Sequence, residues 1–177
     1  MSFRYEIRLS GAGGQGLILV GKILAEAAAI YDGKNATQSQ SYGPEARGGA
    51  SRSEVIISDG DIDYPKATNI DLLLAMTQEA ADKYSPEVKE NGTVIIDSGF
   101  VMNPPKGNFK VHSSEITSVA EEKVGKKIVA NIVALGIIEK LSQVVSEESI
   151  LNAIRARVPK GTEDMNIQAF KLGQDLV

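Results

Sequence analysis

The sequence predicts an α/β fold: a single three-layer domain over residues 1–177, with a mixed, mostly parallel sheet and helices on both faces. Three observations predict it. Short apolar or alternating runs of strand character are interleaved with longer segments of helical pattern. The first such pair is joined by a glycine loop, Gly11-Ala12-Gly13-Gly14-Gln15-Gly16, which makes a Rossmann-like β–glycine-loop–α unit. No internal repeat or low-complexity linker divides the chain, and 177 residues suffice to bury a sizeable core.

Residues 4–10 alternate loosely and read as the first strand. From Gly16 to Ala29 the run is rich in Leu, Ile, Val and Ala, with Lys22 and Glu26 at i and i+4, and reads as a helix with a broad apolar face. Asp32-Gly33 stops it. Asn35 to Gln40 is polar and alternating, a second strand, and Ser41 to Ala50 is a loop. Ser51 to Ser58, centred on Val55-Ile56-Ile57, is a strand. Asp59-Gly60 has the pattern of a hairpin turn, with Asp61 to Tyr64 expected as the returning strand, ended by Pro65; that hairpin is expected to make the sheet mixed.

Ile70 to Met76 reads as a buried strand. Gln78 to Tyr84 reads as a helix, and Ser85-Pro86-Glu87 starts a short second one. Asn91-Gly92 is expected to turn into a strand at Thr93 to Asp97. A Pro-rich loop at 101–108 precedes a short strand, Phe109 to His112. Ser114 is expected to cap a helix to Val124. Ile128 to Leu141 is apolar nearly all round and should be deeply packed. Ser146-Glu147-Glu148 opens a helix to about Arg157 with a capping pattern, and a last helical segment runs from Asp164.

Composition narrows the function classes. A net charge of −4 argues against a general nucleic-acid binder, which needs a basic surface. No apolar stretch is long enough to cross a bilayer, and the N-terminus lacks the pattern of a signal peptide. The expected location is cytoplasmic. With no cysteine, the chain can hold no iron–sulfur cluster, thiolate zinc site or disulfide. A histidine-based triad or metal cluster would have to be built on His112 alone. Redox chemistry therefore belongs to a bound cofactor or another chain.

Gly11, Gly13 and Gly16 satisfy the G-x-G-x-x-G pattern in its strand–loop–helix context. Such glycines permit a tight turn and close backbone approach, so that the first-turn amides of the helix face an anion, aided by the helix dipole. The bland alternative is that they only let the helix pack closely on the strand. A dinucleotide site also needs a carboxylate at the end of the second strand. That strand ends Gln38-Ser39-Gln40, and Asp32 lies before it, which counts against NAD.

The second loop is rarer: Tyr42-Gly43-Pro44-Glu45-Ala46-Arg47-Gly48-Gly49-Ala50-Ser51. A loop so rich in glycine is costly to order, which suggests that it orders against something. Arg47 could clamp a phosphate or carboxylate bidentately. Gly48-Gly49 would let the backbone pass close to a ligand or partner, and Tyr42 could stack or donate a hydrogen bond. The alternative is a solvated connection in which Arg47 pairs with Glu45.

Together the two loops resemble the gamma subunit of the 2-oxoacid:ferredoxin oxidoreductases. Gly11, Gly13, Gly14, Gln15 and Gly16 match the first family motif. Tyr42, Gly43, Pro44, Glu45, Arg47, Gly48, Gly49 and Ser51 match the second, which is the specific one. The likeness is close through Asp97-Ser98 and extends less distinctively to the helix around Asn131. Gln38-Ser39-Gln40-Ser41 before Tyr42 looks most like the 2-oxoglutarate-type members; pyruvate- and ketoisovalerate-type enzymes are their relatives.

The resemblance implies an enzyme that oxidatively decarboxylates a 2-oxoacid with CoA to acyl-CoA, CO2 and reduced ferredoxin. It implies that thiamine diphosphate and iron–sulfur clusters are held on partner alpha and beta chains, with a delta chain as a further candidate, and that this chain alone binds no cofactor and is inactive by itself. It implies no catalytic residue and no metal ligand here. The expected binding residues are Gly11, Gly13, Gly14, Gln15, Gly16, Tyr42, Glu45, Arg47, Gly48 and Gly49, which would meet the phosphates of CoA or shape its entry. Ferredoxin would be met through the complex, with no nucleic-acid or membrane partner. An isolated copy is a candidate for self-association through the surface meant for a partner.

Other residues carry weaker signals. His112 reads as structural. Asp97-Ser98-Gly99 ends a strand at the edge where open sheets bind ligands and is split evenly between a cap and a site-facing position. Lys126-Lys127 reads as a solvated helix start, Asn131 as a satisfied core group bonded to a loop, and Pro104-Pro105 as a rigid connection or subunit contact. Two rival functions remain: a stand-alone NAD(P)- or nucleotide-binding oxidoreductase, and an interface protein whose glycines serve packing.

Overall fold

The computed structural model describes residues 3–42 and 50–177. Its strands are β1 (Arg4–Ala12), β2 (Asn35–Tyr42), β3 (Ala50–Ser58), β4 (Ile70–Ala75), β5 (Val88–Asp97) and β6 (Lys110–Ser114). They form one six-stranded sheet in the order β2-β3-β1-β4-β5-β6. β1, β4, β5 and β6 run parallel, and β3 is antiparallel to both β1 and β2. The helices are α1 (Leu17–Glu26), α2 (Gln78–Tyr84), α3 (Ile116–Val119), α4 (Ala130–Ser142), α5 (Glu147–Arg157) and α6 (Glu163–Gln174).

Alternation along the strands divides the core. Ile7, Leu9, Val55, Ile57, Leu72, Leu74 and Ile95 face the larger cluster, under α1 and α4 to α6. Ile56, Leu73, Val94 and Ile96 face a smaller one under Ala80, Ala81 and Tyr84 of α2. β4 is central and buried throughout. α4 is buried from Ala130 to Ile138, as its apolar circumference requires. The predicted mixed α/β sheet is therefore present, with helices on both faces but unequally shared.

Several element boundaries differ from expectation. Asp61–Tyr64 forms no returning strand, because β3 already has both edges occupied, by β2 and by β1. The mixed character comes from β3 lying between those two strands. The connection to β4 is held by carboxylates on the sheet: Thr68 N and Asn69 N donate to Glu6 Oε2 at 2.9 and 2.7 Å, and Ala67 N donates to Glu54 Oε2 at 3.1 Å. Asn91-Gly92 lies inside β5, where Asn91 has φ 65° and the register with β4 jumps from Ile70↔Val88 to Leu72↔Thr93. The Asn-Gly signal marks a strand irregularity there.

Ser114 ends β6 and does not cap α3. The cap is Asp97, at the end of β5, whose Oδ2 accepts from Thr117 N at 3.0 Å and Thr117 Oγ1 at 2.6 Å. α1 widens into a π-turn over Ala27–Tyr31 before Asp32.

Asp32 ties that turn to α5. Its carboxylate accepts from Ser146 N and Ser146 Oγ, both at 2.8 Å, and from Ser149 Oγ at 2.5 Å. Ser146 in turn caps α5 by accepting from Ser149 N at 3.2 Å. Burial raises the Asp32 pKa, but the Ser149 and Ser146 hydrogen bonds and the nearby Lys34 outweigh it and hold the carboxyl below its usual value. A group with a depressed folded pKa stabilises the fold above its unfolded value and loses that stabilisation as pH falls through the folded one. Asp32→Asn is expected to lower stability by about 1 kcal/mol near neutral pH. The deficit should shrink on acidification below about pH 4, as measured by thermal unfolding across a pH series.

α4 and α6 cross at two glycines. A Cβ on Gly173 would run into the Val133 carbonyl, and one on Gly136 into the Phe170 carbonyl. Both obstacles are backbone, so neither can rotate away. Gly173→Ala is expected to cost about 1–3 kcal/mol by overpacking, readable as a lower midpoint in urea with an unchanged slope.

Candidate functional site

The sheet topology gathers the two sequence motifs at one edge. β1, β2, β4, β5 and β6 all point their C-terminal ends there, and antiparallel β3 begins there. Backbone pairing sets Gly11 opposite Ser51, Ala12 opposite Ala50 and Tyr42 opposite Ser51. The last residue of the second motif therefore lies beside the end of β1, and the first lies one strand further out. Ser10 Oγ donates to the Ser51 carbonyl at 3.0 Å, and Ser51 Oγ donates to the Ala12 carbonyl at 3.5 Å. The predicted residues Glu45, Arg47, Gly48 and Gly49 lie outside the described residues, as does the side chain of Tyr42.

The glycine loop is built by steric need. Gly14 has φ 84° and Gly16 φ 74°, in the left-handed region that favours glycine. A Cβ on Gly14 would meet nothing within 4 Å, so that residue faces open space. Gly11 lies in β1 with Met76 close above it. Gln15 folds back, its Oε1 accepting from Ala12 N at 2.7 Å, and fills the space beside Gly11. Gln15 is thus a brace for the loop. Gly16 is held from the opposite side: Asn131 Nδ2 donates to its carbonyl at 3.0 Å, while Asn131 Oδ1 accepts from Ile132 N. Asn131 is the predicted core group bonded to a loop.

α1 starts at Gly16 without a side-chain cap and with no acidic residue in its first turn. Its first amides need an outside acceptor, water or an anion. In front of the loop lies a recess of about 250 Å³, lined by Gly14, Gln15, Met76, Phe100, Thr117, Lys127, Ile128 and Ala130. Phe100 and Ile128 are half or more exposed at its rim. Lys127 Nζ lies 3.6 Å from Glu121, in a solvated pair that a stronger anion could displace. The arrangement offers backbone amides and one cation beside apolar walls, as a ligand with a phosphate group and an organic body would need.

Lys127, Phe100 and Ile128 were not legible as site residues. Lys127 precedes an apolar helix and reads as a solvated start. Phe100 follows Asp97, whose position at the sheet edge was the available signal. Asp97 itself is fully buried and spent on capping α3 and on Gly99 N, at 3.0 Å, so it does not face the recess. His112 Nε2 contacts Ser114 Oγ at 2.9 Å on β6, and burial lowers its pKa. Asp32 precedes β2 at the opposite edge of the sheet and is engaged with α5, so it cannot serve a dinucleotide ribose at the glycine loop. Among the described residues, no group of three or more His, Cys, Asp or Glu could hold a metal ion, and no helix is long and apolar enough to cross a membrane.

Comparison with known proteins agrees with this architecture. The family model described as "Pyruvate ferredoxin/flavodoxin oxidoreductase" matches residues 6–176. The 2-oxoglutarate synthase subunit KorC of Methanocaldococcus jannaschii is 49% identical over 178 residues, covering 99% of this chain and 95% of that protein. The crystal structure of a keto/oxoacid ferredoxin oxidoreductase gamma subunit from Geobacter sulfurreducens superimposes with a TM-score of 0.88, at 55% identity and 97% coverage of both chains. The 2-oxoglutarate:ferredoxin oxidoreductase of Magnetococcus marinus, solved with 2-oxoglutarate, coenzyme A and succinyl-CoA bound, shares the fold alone. Its TM-score is 0.87 at 22% identity, with this chain matching 31% of that one. The chain belongs to the pyruvate ferredoxin/flavodoxin oxidoreductase family.

Proposed function

We propose that this chain is the gamma subunit of a 2-oxoglutarate:ferredoxin oxidoreductase, and that its glycine loop and neighbouring recess hold the phosphates of coenzyme A. The observation that carries the second part is the uncapped start of α1 behind Gly14 and Gly16, open towards Lys127. Substrate type rests on the KorC relative and on the gamma-subunit neighbour. The ligand reading is further supported by the presence of coenzyme A in the Magnetococcus structure of the same fold.

In this reading the chain's own residues bind and orient. Amides of the first turn of α1 and of Gly14 donate to diphosphate oxygens, with the helix dipole and Lys127 favouring the charge. Met76, Phe100 and Ile128 offer the apolar part of the ligand a surface. Arg47, in the second motif, is the expected further phosphate contact. Gln15 and Asn131 keep the loop in shape. Thiamine diphosphate and iron–sulfur clusters, held on alpha and beta chains with a delta chain as a further candidate, would supply the decarboxylation and electron transfer. A chain without cysteine leaves cluster ligation to its partners.

The stand-alone NAD(P) reading is disfavoured by topology. β3 lies between β1 and β2, so the end of β2 is one strand further from the glycine loop than in a dinucleotide-binding unit.

Two experiments test the proposal. A tagged chain recovered anaerobically from its native cells is expected to bring partner chains and a 2-oxoglutarate- and CoA-dependent reduction of a low-potential dye. A lone colourless protein that binds NADH would overturn the assignment. In the assembled enzyme, Gly14→Asp is expected to raise the KM for CoA tenfold or more, about 1.4 kcal/mol, with partner retention unchanged. The space there is free, and aspartate and asparagine carry the same backbone strain at this positive φ, so the difference between the two variants reads the charge. Gly14→Asn should lose much less. Equal CoA affinity in all three proteins would refute the ligand assignment while leaving subunit identity standing.

A further inference from the structure

A cavity of about 480 Å³ lies away from the glycine loop. It lies on the other face of the sheet, over β1, β3 and β2. Side-chain alternation sends Arg8, Arg52, Glu54, Ser39 and Ser41 to that face, opposite Ile7, Leu9, Val55 and Ile57. Lys66, from the connection before β4, completes its wall.

The cavity is cationic in a chain whose net charge is −4. Arg8, Arg52 and Lys66 are set against one lining carboxylate, Glu54. That carboxylate is already shared: Oε1 lies 3.4 Å from Arg8 Nη2 and 3.1 Å from Arg52 Nε, and Oε2 accepts from Ala67 N. Glu87 adds a second partner for Arg8 from outside the cavity lining. The two guanidiniums are held in place by the Tyr84 ring, their Cζ atoms 4.9 and 5.7 Å from its centroid. Arg8 is 4% exposed, and its Nε is buried without a hydrogen-bond partner among the described residues. With Glu54 and Glu87 set against Arg8, Arg52 and Lys66, the cluster keeps one positive charge in excess, and that surplus beside the serine hydroxyls of β2 is a donor set for an oxyanion.

We propose that this cavity is a binding site for a small, doubly charged oxyanion, either a phosphoryl group or a dicarboxylate, engaged chiefly by Arg52 and Lys66, with Arg8 beneath them holding Glu54. The site is independent of the coenzyme A reading, since it faces away from the glycine-loop recess.

Calorimetric titration of the full chain with inorganic phosphate and, separately, with succinate tests it, in a low-chloride zwitterionic buffer. Saturable binding of at least one is expected; which one binds identifies the source, and binding of both means that charge alone is read. Arg52→Gln is expected to weaken binding about tenfold or more. Lys66→Gln, on an exposed side chain that can be replaced without disturbing the core, should weaken it about threefold and serves if Arg52→Gln lowers the unfolding temperature. Lys127→Gln, at the other recess, should bind as the unaltered chain does. Absence of binding of both anions overturns the site, as does undiminished affinity in the Arg52 and Lys66 variants or displacement by equimolar chloride.

Discussion

The pairing of β3 with β1, from Arg4↔Ser58 to Ala12↔Ala50, is the constraint on which the rest of this molecule turns. It occupies the edge of β1 that a dinucleotide-binding fold would give to a parallel second strand. It displaces β2 to the sheet edge, and it closes β3 to any further partner. The same ladder brings the second sequence motif back to the end of β1, next to the glycine loop. Two motifs separated by a helix and a strand thus meet through main-chain hydrogen bonds, without needing any long-range side-chain contact.

That arrangement also explains the charged sheet face. Among the described residues, no long helix covers β1, β3 and β2 on the side of α2, so Glu6, Arg8 and Glu54 sit where a doubly covered sheet would carry aliphatic residues. They are not idle. Glu6 and Glu54 accept from three successive backbone amides, Ala67, Thr68 and Asn69, and so guide the chain into β4. Arg8 keeps Glu54 compensated in a setting where an unpaired carboxylate would be strongly disfavoured. Burial and the charge of Asp71 push Tyr5, on β1, up to about 12, so it stays neutral across the working range.

On the opposite face, α4 links packing to function. Its circumference is apolar because α6 and the sheet surround it, and Gly136 and Gly173 allow the two helices to approach at backbone distance. Asn131, at the start of that helix, directs its amide at the glycine loop and fixes the carbonyl of Gly16. The shape of the loop therefore depends on a helix more than a hundred residues away in sequence.

The α/β class, the order of most elements, the glycine loop and the family were legible in the sequence, because each rests on local pattern: alternation, an apolar circumference, or glycines at fixed spacing. Ser146 as a cap and Asn131 as a loop-bonded core group were legible for the same reason. Tertiary structure decided the rest. A hairpin at Asp59-Gly60 looked reasonable locally and failed because both edges of β3 were taken. The cap of α3 comes from Asp97, twenty residues upstream of Thr117, and no local pattern connects them. Lys127 and Phe100 join the glycine loop only because parallel strands deliver their C-terminal ends to one edge, and Arg8 and Arg52 share a cavity only because β1 and β3 are neighbours in register. Local propensity settles which segments become strands and helices; strand neighbours and register settle which side chains meet.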